Sequence, residues 1–290
     1  MRVSDQNQES EPSADHSPSP PDPVKPVRLA SLRRDPKGWL IALSGVGAPL
    51  AFIIAAGGSG IGLWARQAGL AAVPWIILMA VIALLLAIAF IVLNRRQGRK
   101  TRWPLIGLGM AAALGFLAYL APYGAALLSL PAIHDITTDL ADPPQFTGLR
   151  LRDDNWDKIP GADDSDMAGM NPRQRWATLH QDAYPDIRSV RIDQPVAVVI
   201  EKAKRLAEDR GWDIVSVDPA AGNLEATDTY SLFRFKDDIV IRARAAENGA
   251  ASIIDVRSVS RAGVHDLGIN AKRVRDFLSD LSGTTTTASQ

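Results

Sequence analysis

A stretch of 93 residues without one acidic side chain, Gly38 to Leu130, constrains the fold of this chain more than any other feature. The 290 residues include 32 acidic and 32 basic side chains, so the net charge of zero averages over very unlike segments. A water-facing surface carries charges of both signs, whereas the interior of a bilayer tolerates neither. We therefore expect this third of the chain to lie in a membrane.

Three runs without charged residues lie within this stretch: Gly38 to Ala65, Leu70 to Leu93, and Pro104 to Leu130. Each supplies the roughly 20 apolar residues that a helix needs to cross about 30 Å of hydrocarbon. The prediction is a transmembrane domain over 37–130 with three helices, at about 40–62, 72–93 and 105–128. Because the runs place no charge at depth, they are typical of an anchor rather than of an ion or proton pathway.

Basic residues flank the three runs unevenly. Five lie shortly before the first run, five lie between the second and the third, and only Arg66 lies between the first and the second. Because cytoplasmic loops carry the excess of Lys and Arg, the N-terminus is predicted to be cytoplasmic and the C-terminal domain to lie on the far side. The predicted location is the cell inner membrane, with the C-terminal domain in the periplasm.

Both ends of the chain are predicted to be disordered. Residues 1–36 contain six prolines between Pro12 and Pro26, and residues 283–290 include four consecutive threonines. Such segments bury too little apolar surface to offset the entropy lost on ordering. We expect a disordered cytoplasmic tail before the first helix and a frayed tail after residue 282.

Residues 131–282 are predicted to form an α+β domain with the element order β-α-β-β-β-β-α. Apolar residues recur at helical spacing from Val196 to Ala207 and again from Leu267 to Leu281, and alternating segments lie between these two helices. A further short helix is expected around Pro172 to Asp182. Three turns are expected between the strands: Pro219 to Gly222, Lys236 with Asp237, and Asn248 with Gly249. Tight turns favour a mainly antiparallel sheet, with both main helices on one face.

The Asn248-Gly249 pair also predicts the strand register. If these residues form the centre of a hairpin turn, Arg242 lies opposite Asp255 and Ile241 lies opposite Val256. The face that carries Ile241 is then covered by the helices. The other face carries Arg242, Asp255 and Arg257.

The candidate ligand-binding site comprises six polar residues: Arg242, Asp255, Arg257, Arg261, Asp266 and Asn270. Guanidinium groups and the free N–H groups of a helix start both favour anions, so a carboxylate or phosphate is the expected ligand. The alternative is structural. In it, Arg257 and Arg261 pair with Asp255 and Asp266, and Asp266 caps the last helix.

Composition excludes several other kinds of chemistry. The absence of cysteine excludes disulfides and thiolate catalysis. Residues 131–290 hold 20 basic and 26 acidic residues, a formal charge of −6, which argues against a nucleic-acid partner. His134 beside Asp135 is a weak metal signal, and no cofactor or metal is expected. Ser258 or Ser260 with His265 is a weak serine-hydrolase signal.

Five segments resemble a known family: Ile133 to Asp139, Tyr184 to Ile187, Gly211-Trp212, Phe235 to Ile241, and Asp255 to Asn270. Together they are similar to the bacterial and plant domain-of-unknown-function family 1499 over about residues 131–282. The resemblance implies a shared fold, often behind a membrane anchor, and implies no established activity.

Three functional hypotheses are compatible with the sequence. The first is a periplasmic binding or interaction module for a small anion, a lipid or an envelope protein, anchored in the lipid bilayer. The second is a periplasmic hydrolase that uses His265 or Asp266, and the third is a purely structural envelope component. Gly57, Gly58, Gly60 and Gly62 also favour close helix packing, either within a compact three-helix bundle or in a homo-oligomer.

Overall fold

The computed structural model describes residues 35–101 and 103–283, so both predicted tails lie outside the described residues except at their inner boundaries. Its N-terminal part contains three long apolar helices: α1 Pro36–Gly60, α2 Arg66–Arg96 and α3 Trp103–Ser129. All three are long and apolar enough to cross a membrane. The three predicted helices are therefore confirmed. Helices α2 and α3 extend beyond the predicted bounds at both ends, whereas α1 begins four residues earlier and ends two residues earlier than predicted.

Small residues allow close packing between α1 and α3. A side chain at Gly45 would collide with the backbone of Gly109, and a side chain at Gly109 would collide with that of Ile41. The glycines at the end of α1 have other contacts: Gly58 packs on the Trp64 ring, and Gly60 packs on the Leu232 carbonyl of the C-terminal domain. Two of the four glycines thus pack within the chain, and the homo-oligomer stays a prediction.

The C-terminal domain is α+β, as predicted. Its helices are α4 Pro172–Ala183, α5 Val196–Asp209 and α6 Ile269–Ser282. Its strands are β1 Asp135–Thr137, β2 Val190–Ile192, β3 Asp213–Asp218, β4 Asn223–Tyr230, β5 Phe235–Ala246 and β6 Ala251–Ser260. The three-residue strand β1 is an addition to the predicted order, and it is too short to show an alternating pattern in the sequence.

All strand pairs in the sheet are antiparallel, with the order β1-β6-β5-β4-β3 and with β2 also paired to β6. Helices α5 and α6 pack on one face, where their apolar residues contact Ile239, Ile241 and Ile254. The Trp212 ring stacks on Phe277 of α6 at 5.3 Å between centroids. One helix-covered core therefore holds the domain together.

The register predicted from the Asn248-Gly249 turn is confirmed. Arg242 lies opposite Asp255, and Ile241 lies opposite Val256. Asn248 and Gly249 both have positive φ, 57° and 88°, as a hairpin turn of this kind requires.

The turn predicted at Lys236 and Asp237 is wrong, because both residues lie inside β5. The chain instead reverses between Tyr230 and Phe235, over residues 231–234. Ser231 and Arg234 adopt positive φ there, and Phe233 at the tip is buried. Residues 231–234 lack the Asn-Gly or Asp-Gly pair that marks a hairpin in a sequence, so no local pattern predicts this turn. The turn instead contacts the helical bundle.

Candidate functional site

The structure distributes the six predicted site residues over separate contacts. Arg242 and Asp255, which lie opposite each other as predicted, form an ion pair with Nη2 and Oδ2 3.0 Å apart. Arg257 pairs with Asp135 and Arg261 pairs with Asp238, so the predicted pairing of these two arginines with Asp255 and Asp266 is wrong. Asp135 is 122 positions from Arg257 and Asp238 is 23 positions from Arg261, so both carboxylates lie outside the local polar segment for which the structural alternative was proposed.

Asp255 is the fully buried centre of a group on the face of the sheet opposite α5 and α6. Its carboxylate accepts hydrogen bonds from Arg242 and from Arg244, the latter at 2.8 Å, and also from the hydroxyl of Ser189 at 2.5 Å. Asp139 contacts the same two arginines at 3.2 Å. Each charge in this group has an opposite charge beside it, so the group holds the segment after β1 onto the sheet.

Arg257 and Asp135 form a second, more deeply buried pair, with the two side chains 2% and 1% exposed. Two parallel hydrogen bonds join them, at 2.9 Å and 2.7 Å. Asn155 donates to Asp135 at 2.8 Å, and the Trp176 indole donates to the Asp135 carbonyl at 2.7 Å. A buried charge pair is tolerated when its remaining hydrogen-bonding capacity is satisfied in this way.

Glu225 binds a loop that covers the same face. Its carboxylate accepts hydrogen bonds from the backbone N–H groups of Thr147, Gly148 and Leu149 and from the Thr147 hydroxyl, at 2.6 to 3.0 Å. Burial raises the pKa of Glu225, but the hydrogen bonds from these three residues outweigh burial and lower the pKa overall. Sequence analysis missed this contact, because 76 residues separate Leu149 from Glu225.

Asp266 and Asn270 lie at the start of α6. Asp266 accepts from the N–H groups of Gly268 and Asn270, so it caps the helix as the structural alternative predicted. Burial raises the pKa of Asp266. The Asn270 amide accepts from Ser258 and donates to Ser260, which fixes both hydroxyls.

The serine-hydrolase arrangement does not assemble in the described structure. Ser258 and Ser260 are hydrogen bonded to Asn270, whereas the Nδ1 atom of His265 accepts from the Leu267 N–H at 2.9 Å. Nε2 of His265 therefore carries the proton and donates to the Leu130 carbonyl at 3.2 Å. This contact joins the end of α3 to the C-terminal domain.

A buried acidic group under α6 was also missed. Arg273 lies 2.8 Å from both Asp228 and Asp237, and Asp237 is fully buried. Burial raises the pKa of Asp237. Tyr230 packs against the Arg273 guanidinium at 5.4 Å, and its pKa is also raised by burial. Among the described residues, no group of three or more His, Asp or Glu side chains is arranged to hold a metal ion. Both ring nitrogens of the buried His134 lack hydrogen bonds.

The tip of the β4–β5 hairpin inserts into the end of the helical bundle. The Phe233 ring contacts Phe52 of α1 at 6.0 Å between centroids and lies against Gly69 of α2. The end of α1 packs so closely on the domain that a side chain at Gly60 would collide with the Leu232 carbonyl. The hairpin therefore fixes the C-terminal domain against α1 and α2.

A cavity of about 380 Å³ opens beside this hairpin, between α2 and the domain. We call it the junction cavity, and its lining residues are Arg66, Gln67, Leu70, Phe235, Ala262 and Gly263. Its lining surface is mostly apolar, and Arg66 is the only charged residue in it. A second cavity of about 340 Å³ lies between α1 and α3 and also contacts the hairpin, at Leu232.

The fold and these contacts define a small α+β domain that is docked through a β-hairpin onto three candidate membrane spans. The chain belongs to the family of proteins of unknown function DUF1499, whose family model matches residues 135–281. No curated protein and no solved structure matches the chain.

Proposed function

We propose that this chain is an integral protein of the cell inner membrane, with its N-terminus in the cytoplasm and its C-terminal domain in the periplasm. The uneven distribution of basic residues supports this orientation, because Arg66, the first residue of α2, is the only basic residue near the connection between α1 and α2. Arg95, Arg96, Arg99 and Lys100 lie at the opposite end of α2. In this topology the junction cavity faces the periplasmic leaflet.

The absence of cysteine makes this topology directly testable. We expect a membrane-impermeant maleimide to label an Asp163→Cys variant in cells whose outer membrane is permeabilised, because Asp163 is an exposed residue of the domain. A Gln97→Cys variant, between α2 and α3, should be labelled only after lysis. Labelling of Gln97→Cys and protection of Asp163→Cys in unlysed cells would reverse the proposed orientation.

We propose further that the domain and the ends of the spans together bind the apolar part of a membrane amphiphile. The observation that carries this proposal is the junction cavity. Its volume of about 380 Å³ falls within the range of small-molecule sites, which are also mostly apolar with few polar groups. Each methylene buried there contributes roughly 0.8 kcal/mol to binding.

The position of the cavity supports a lipid over a water-soluble ligand. Leu70 belongs to a candidate membrane span, and Phe235 begins the strand that follows the hairpin tip. In the proposed topology, molecules that diffuse within the bilayer reach a cavity between these residues. The protein is thus proposed to be a membrane-anchored lipid-binding module, which corresponds to the first of the three functional hypotheses.

Crosslinking with a phosphatidylcholine that carries a diazirine in its acyl chain tests this function on the full chain. We expect crosslinks at Phe235 and neighbouring residues, and we expect an Ala262→Phe substitution to reduce them several-fold because the ring fills the cavity. Ala220→Phe, at an exposed turn between β3 and β4, is the matched control and should leave them unchanged. Equal crosslinking of the two variants would contradict the proposal and favour a purely structural role.

A further inference from the structure

Arg66 is the residue of the junction cavity whose charge is not balanced. It is half-buried at the start of α2, and no acidic side chain forms an ion pair with it in the described part of the chain. Its guanidinium is a charged group beside the mostly apolar lining of the cavity. A charge next to an apolar surface is costly unless an opposite charge accompanies it.

The surroundings of Arg66 add no negative charge. The cavity lining itself contains no acidic residue. The first turn of α2 also lacks acidic residues, and the dipole of that helix adds potential of the same sign.

Several arginines of the C-terminal domain show how such a charge is matched within the protein. Arg242, Arg257, Arg261 and Arg273 each contact at least one carboxylate at 2.7 to 3.2 Å. Arg66 has the cavity in the place of such a carboxylate. An anion bound at the rim of the cavity would supply the missing partner.

We infer that the occupant of the junction cavity is a lipid with a net anionic, phosphate-bearing headgroup, and that Arg66 binds the headgroup while the cavity holds acyl chain. This inference rests on the proposed lipid-binding function and adds the class of lipid. The guanidinium donates two parallel hydrogen bonds to phosphate oxygens, an arrangement that lysine does not reproduce. A zwitterionic lipid brings its own cation to a site that is already positive, and it therefore binds less tightly.

The test compares phosphatidylglycerol with phosphatidylcholine, both with the same diazirine-bearing acyl chains, on the full chain in nanodiscs. We expect crosslinking at Phe235 to favour phosphatidylglycerol by about tenfold, the factor that corresponds to roughly 1.4 kcal/mol. Arg66→Gln should abolish this preference while crosslinking of phosphatidylcholine persists. Arg99→Gln, after the other end of α2, removes the same charge outside the cavity and should preserve the preference.

Different results would refute the headgroup assignment and the proposed function. Equal crosslinking of both lipids at Phe235 would overturn the assignment to an anionic lipid and leave lipid binding intact. Absence of crosslinks at Phe235 with either lipid would overturn the proposed function. Loss of phosphatidylglycerol crosslinking in millimolar inorganic phosphate, but not in sodium chloride of equal ionic strength, would assign Arg66 to a soluble anion and overturn the lipid assignment.

Discussion

Replacing Asp135 with alanine is expected to destabilise the C-terminal domain by about 3 to 5 kcal/mol, because the change leaves the guanidinium of Arg257 buried without its partner. Both side chains are almost completely buried, and two hydrogen bonds join them. The amide of Asn155 would lose its acceptor as well. A loss of this size is a large part of the stability of an ordinary domain.

Urea unfolding of the full chain in detergent, followed by tryptophan fluorescence, measures this loss. The Trp176 indole donates to the Asp135 carbonyl, so the part of the summed emission of the 7 tryptophans that comes from Trp176 reports on the same region. Asp153→Ala is the matched control. Its ion pair with Arg150 is 83% to 84% exposed, and such pairs contribute at most about 1 kcal/mol. Equal unfolding midpoints for the two variants would show that the buried pair does not support the fold.

Replacing Glu225 with glutamine should cost about 2 to 3 kcal/mol at neutral pH, since a hydrogen bond to a charged group is worth about 1.5 to 3 kcal/mol and several are weakened together. The Gln amide nitrogen is a donor, and it would face the N–H groups of residues 147–149 in place of an accepting oxygen. Glu208→Gln is the control, because Glu208 forms only an exposed pair with Lys204 on α5.

The pH dependence of the Glu225 variant gives an independent check. The folded-state pKa of Glu225 lies below its usual value of 4.5, so the unfolded chain binds the proton more readily. The contribution of Glu225 is therefore complete above about pH 4.5 and is lost as the pH falls through the lower folded-state pKa. We expect the free-energy difference between the parent chain and Glu225→Gln to shrink below pH 4.5. A difference that stays constant down to pH 2 would contradict the assigned role.

The titration of His180 does not affect the comparison between the parent chain and Glu225→Gln. Burial lowers its pKa to about 4, so its protonation also destabilises the folded domain as the pH falls from about 6.5. Nε2 of His180 accepts from the Thr137 N–H, which requires the neutral ring. Because this titration occurs in both the parent chain and the variant, the difference between them isolates Glu225.

Local patterns predicted those parts of the fold that depend on neighbours in sequence. The acid-free stretch predicts the three apolar helices, and the Asn248-Gly249 pair predicts which residues lie opposite each other in β5 and β6. Asn171 caps α4 together with Gln174, so the short helix expected from Pro172 to Asp182 is also confirmed.

The pairings that close the second face of the sheet could not be predicted. Asp135 is 122 positions from Arg257 along the chain, and Glu225 is bound by backbone N–H groups, which any residue type supplies. Because each aspartate has several arginines near it, many alternative ion pairs of similar energy are possible. The arrangement is decided by how the segment after β1 crosses the sheet, which no local pattern specifies.

The insertion of Phe233 between α1 and α2 has a mechanical consequence for the whole chain. Strand β5 starts directly after the hairpin tip and continues for 12 residues to Ala246, a length of about 40 Å at roughly 3.3 Å per residue. It is paired on both sides, with β4 and β6, so it resists bending. A change in the tilt of α1 or α2 would therefore displace the Asn248-Gly249 end of the sheet further than it displaces the hairpin tip.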